Sequence, residues 1–169
     1  MDHIITDIIG RLDSQVTELK YNAQDWGQLS LFDAKDAPVK WPCSLVDMNS
    51  GQFSNIGLLI QEGLLQVIIT FSDWSQNVSS RAPQAMKDAE LRIWKIASTA
   101  HVALQGWAGS ADYSGLCRTG FQRVLRDDGV RTIKVTYTTN WQDASAKKKA
   151  PITPTQGVKI NTGIEWPNT

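Results

Sequence analysis

Pro83 to Gln105, PQAMKDAELRIWKIASTAHVALQ, is the longest periodic stretch outside the N-terminus, and its reading decides the fold. Met86, Ala89, Ile93, Ala97, Ala100 and Leu104 recur at steps of three and four, so they share one face of a helix. Leu91, Ile96 and Val102 widen that stripe, while Lys87, Asp88, Arg92, Lys95 and Ser98 fall largely elsewhere. Ser79 and Ser80 are candidate caps, Pro83 suits a first turn, and Gly106 can close the end in a left-handed turn. A helix this amphipathic needs a wide apolar surface to cover. Strands before and after it are expected to supply one.

Upstream, Leu65, Val67, Ile69 and Phe71 alternate with Gln66, Ile68, Thr70 and Ser72 inside a strand expected over Ile56–Ser72. Before it, Trp41, Cys43 and Leu45 alternate with Pro42, Ser44 and Val46, and Pro42 makes that start an edge or an entry point. Met48–Asn55, MNSGQFSN, has turn chemistry, and Gln28–Phe32 is a short strand candidate in an otherwise irregular connection. Residues 2–19 carry an aliphatic stripe, Ile4, Ile5, Ile8, Ile9, Leu12, Val16 and Leu19, and read as a first helix.

Downstream, Arg118–Leu125 and Val130–Thr139 flank Asp127-Asp128-Gly129, a hairpin turn because glycine tolerates positive φ. Ile133, Val135 and Tyr137 alternate there with Thr132, Lys134, Thr136 and Thr138, giving one buried and one wet face. The expected fold is α+β: an antiparallel sheet with two helices packed on one face. Residues 1–142 form that single domain. Residues 143–169, rich in Lys, Thr, Pro, Gly and Asn, form an extended C-terminal arm.

The totals narrow the function classes. The chain has 169 residues with 17 basic and 17 acidic side chains, so bulk attraction to nucleic acid or membrane is not its main activity. Two cysteines, Cys43 and Cys117, are too few to staple the fold and fit a reducing compartment. No basic leader precedes an apolar run, and no stretch approaches the roughly 18 apolar residues of a membrane span. Synthesis in the cytoplasm is the expectation.

Chemistry finds little support. His3 and His101 are the only histidines, and pairing His101 with Cys117 or Cys43 has no local motif behind it. The chain lacks CxxC, HxxxH and P-loop spacings. No catalytic, metal or cofactor residue is assigned. Lys147-Lys148-Lys149 is a solvated run or a contact for phosphate or an acidic surface. The arm carries spaced apolar residues, including Ile160 and Trp166, suited to adding to a neighbour's strand edge.

An N-terminal Ile/Leu helix, an extended region leading to WPCSLVDM, and the strand GLLQVIITFSDW before the long helix come in that order. The closing pair CRTGFQRVLRDDGVRTIKVTYTTNW completes the order. This arrangement resembles the tail terminator (tail-completion, or minor tail) proteins of long-tailed bacteriophages and prophages. The resemblance covers most of residues 1–141 and implies a non-enzymatic virion subunit, made in the bacterial cytoplasm. Such subunits form a ring, often a hexamer, that caps the tail tube and joins it to the head or to other tail and connector proteins. Residues after Trp141 have no clear counterpart. Candidate assembly residues are Phe53, Trp74, Trp141, Lys147, Lys148, Lys149, Ile160 and Trp166. The alternative is a small ligand- or protein-binding module with an aromatic-lined groove near Trp94 and His101.

Overall fold

A computed structural model describes residues 2–74 and 83–147. In chain order the elements are α1 (Asp2–Gln15), β1 (Tyr21–Gln24), α2 (Gln28–Leu31), β2 (Cys43–Gly57) and β3 (Ile60–Trp74). They are followed by α3 (Gln84–Leu104), β4 (Cys117–Val124) and β5 (Val130–Asp143). The five strands form one sheet in the order β1-β2-β3-β5-β4. Every pairing is antiparallel except β1 with β2. The fold is α+β, with a mixed rather than wholly antiparallel sheet.

The two alternations place the main core. Leu65, Val67, Ile69 and Phe71 of β3 and Ile133, Val135 and Tyr137 of β5 are buried together with α1 and α3. Ile4, Ile8 and Leu12 of α1 meet Ile93, Ile96, Ala100 and Leu104 of α3 there. Each such aliphatic side chain contributes about 1.5–3 kcal/mol on full burial. The stripe of α3 is turned slightly from its expected centre: Ile96 is fully buried, whereas Leu91 and Val102 point to solvent. Pro83 is the N-cap of α3, and Gly106, at φ 75°, takes the left-handed turn at its end. The side chains of Met86 and Ala89, and both serines Ser79 and Ser80, lie outside the described residues.

The opposite face of the sheet is also covered at one end, which two helices on one face would not do. Cys43 and Leu45 pack there against Leu29, with Tyr21, Ala23, Ala37, Val39 and Trp41 around them. Gln28–Leu31 is therefore a helix, not the expected strand. Gly27 enters it at φ 95°, Asp25 Oδ1 accepts the Gly27 N–H, and the buried Gln28 accepts from Trp26 N and donates to Gln24 O. These side-chain bonds to local backbone favour a turn over an extended chain. The first helix ends at Gln15, short of residue 19, yet Val16 and Leu19 stay buried.

The largest departure is at Met48–Asn55. These residues do not turn; β2 runs through them to Gly57 and pairs with β3 as far as Ile60. Their turn chemistry corresponds to a bulge between Met48 and Ser50, where one extra residue kinks the strand. The reversal comes later, at Leu58-Leu59, with Leu59 at φ 60°. Asn49 to Leu59 are all exposed, while their partners Gly63 and Leu65 across the ladder in β3 stay buried.

Candidate assembly surfaces

Two surfaces stand out, at opposite ends of the strands. The first is the far half of the β2–β3 hairpin. Ile56, Leu58 and Leu59 at its tip are 49%, 86% and 51% exposed, and Phe53 and Leu64 lie further down the arm, also exposed. Phe53, Gly63 and Trp141 share one rung across β2, β3 and β5. The Phe53 ring crosses Gly63 and meets Trp141 edge-on, centroids 5.9 Å apart at 82°. Trp141 itself is buried. Its indole N–H donates to Asp112 Oδ2 at 3.0 Å, and Asp112 also accepts from Ser110 Oγ at 2.6 Å. His3 Nε2 lies 2.8 Å from Asp112 Oδ2, at ion-pair distance but off hydrogen-bond alignment. Trp141 thus fastens the loop after α3 to the sheet rather than offering a free contact. The Ser110 hydroxyl first, then the Trp141 indole, hold the Asp112 carboxyl below its ordinary value of 3.8.

Among the other expected contact residues, Trp74 is exposed at the opposite end of β3 from Phe53. The rung of Phe53 and Trp74 are about 36 Å apart along the strand at roughly 3.3 Å per residue. The two do not form one site. Lys147 is exposed just beyond β5. Lys148, Lys149, Ile160 and Trp166 lie outside the described residues.

The second surface is a recess of about 260 Å³ between α3 and the β4–β5 pair. Leu91, Ile93, Trp94, Arg123, Arg131, Thr132 and Ile133 line it. Trp94 meets Phe121 of β4 edge-on at 6.0 Å, and both remain substantially exposed. Phe121 and Arg123 come onto the helix side, Arg123 opposite Ile133 of β5, because a bulge between Arg118 and Gly120 resets the phase of β4. The recess is shallow and open, and His101 is not part of its lining. His101 instead lies beside Tyr137, Nδ1 to Oη 3.4 Å, and burial pushes that phenol up to about 12.

Nucleophilic chemistry through Cys43 is excluded by position. Cys43 packs on the sheet face opposite α3 and His101, and burial pushes its thiol up to about 12, Asp73 adding to the effect. A thiol so raised supplies almost no thiolate near neutral pH. Among the described residues no three potential metal ligands cluster, and no helix is long and apolar enough to cross a membrane. Sequence reading named Phe53 but missed Ile56, Leu58, Leu59 and Leu64. The unbroken apolar run Leu58-Leu59-Ile60 was the available signal.

No family model and no curated protein matches this chain. Among solved structures, a chain from the virion of a native gene transfer agent particle is similar, with TM-score 0.44 and 10% identity. The likeness covers 80% of this chain and 84% of that one.

Proposed function

We propose that this chain is a non-enzymatic structural subunit of a phage-like particle and works by assembly. Its place is the tail end or the head–tail junction, where copies form a ring that caps or joins the tail tube. The observation that carries the assembly reading is the hairpin arm. Eleven consecutive exposed residues, Asn49–Leu59, end in an apolar tip that none of the described residues covers. Water-facing apolar groups concentrated on a protrusion favour burial against a partner. The phage assignment and the ring rest on the order of sequence elements shared with tail terminator proteins.

Sedimentation velocity across a concentration series tests the assembly reading. The expected result is a closed oligomer, or reversible association that grows with concentration. A strict monomer up to hundreds of micromolar, with no binding to tail-tube or connector proteins, overturns it.

A further inference from the structure

We propose that the hairpin tip of one copy docks into the recess between α3 and β4 of a second copy. Ile56, Leu58 and Leu59 would pack on Leu91, Trp94 and Phe121, with Glu62 facing Arg123. The proposal rests on the assembly reading above and names the two surfaces that meet.

The tip is built at a cost that folding does not explain. Leu59 sits at φ 60°, where a non-glycine residue loses about 1–2 kcal/mol and a bulky one is unusual. Glycine or asparagine would make the same turn more easily. Leucine there supplies apolar surface, and Leu58 beside it is 86% exposed. The recess offers apolar groups to meet it: Leu91, Ile93, Trp94 and Ile133 are part of its lining, and Phe121 on the edge strand β4 lies beside Trp94.

Charge selects the same pairing. From Trp41 to Ser80 the only charged side chains are Asp47, Glu62 and Asp73, and Asp73 is occupied by Arg92. Glu62, exposed and close to the tip, is the remaining acid there. The recess lining carries Arg123, the cation that Glu62 would meet, and no carboxylate among the described residues. Complementary potentials of this kind fix register and orientation more than affinity.

Position makes the contact intermolecular. The recess lies at the end of the sheet where Asp73 pairs with Arg131, and the tip lies beyond Gln61 and Asp143 at the other end. That separation is about 43 Å along β3 at roughly 3.3 Å per residue, so a tip cannot fill its own recess. A knob and a hole at different places on one chain make a head-to-tail contact, which closes into a ring when the rotation permits.

Cysteine cross-linking tests the contact on the full chain. Leu58→Cys and Phe121→Cys, each combined with Cys117→Ser, place thiols at two exposed positions; Cys43 stays buried. On mild oxidation, a mixture of the two variants should give a dimer-sized band at least tenfold stronger than either variant alone. The variant carrying both substitutions should give a ladder. In parallel, Glu62→Lys should weaken self-association about tenfold, and Arg123→Glu should restore it. An oligomer that forms without this cross-link, and is indifferent to Glu62→Lys, overturns the docking and leaves the assembly reading standing. A chain that is monomeric throughout overturns the assembly reading itself.

Discussion

Phe53 stands over Gly63, its partner across the β2–β3 ladder: a Cβ at position 63 would collide with ring carbons Cδ1 and Cε1. A bare Cα lets the ring reach across β3 to Trp141. Gly63→Ala should therefore push the ring off Trp141. The loss is about 1 kcal/mol, the size of an aromatic pair beyond its area burial. Urea denaturation of Gly63→Ala, Phe53→Ala and the double variant gives the coupling. The alanine at 63 should cost clearly less once Phe53 is gone.

Leu59 separates stability from assembly. Leu59→Gly removes the strain of positive φ and adds chain entropy to the unfolded state, so the net gain is about 0.5–1 kcal/mol. The denaturation midpoint should rise while self-association weakens. A substitution that stabilises the fold and weakens assembly marks a residue retained for contact.

Arg92 holds α3 to the sheet. Its Nε donates to Asp73 Oδ2 at 2.9 Å and its Nη2 to Asp73 Oδ1 at 2.6 Å, and the carboxylate is almost wholly buried. Arg92→Ala leaves that carboxylate without its cation and should cost about 3 kcal/mol. Arg92→Lys keeps the charge but loses the fork and should recover only part of the loss. Thermal unfolding reads both.

The thiols should differ sharply. Cys117 is exposed, whereas Cys43 is buried with its thiol pushed up to about 12. Folded protein should release one equivalent of thionitrobenzoate from Ellman's reagent, and denatured protein two. Rapid reaction of both in the folded state would mean that the α2 layer opens readily.

Asp112 gives a pH dependence. Its folded carboxyl lies below the ordinary 3.8, so the stabilisation is complete above that value and is lost as pH falls through the lower folded value. Asp112→Asn should flatten that part of the acid decline. Melting temperature measured from pH 6 to pH 2.5 shows it as converging curves for the two proteins.

Legibility followed burial. Leu65 to Ser72 and Ile133 to Tyr137 were readable because one face of each strand is packed and the sequence alternates to match. The run Asn49–Gly57 was not, because every residue in it is exposed and no alternation is imposed. Asn, Ser and Gly then read as a turn. The true turn, Leu58-Leu59, contradicts turn chemistry, and β1 is four residues of Tyr-Asn-Ala-Gln without a period. Phe53 was legible by residue type alone. The recess required the β4 bulge, which sets the side on which Phe121 and Arg123 emerge, and no local residue pattern announces it.

The Asp73–Arg92 pair also has a topological consequence. It joins the end of β3 to the third turn of α3, and so closes the connection between them. Whatever path the intervening residues take, both ends of that connection are already pinned. Its length is then a weak variable, since doubling a loop costs only about 0.6 kcal/mol. The connection between Trp74 and Pro83 is thus the natural port for an inserted tag or reporter, at the end of β3 opposite the hairpin tip.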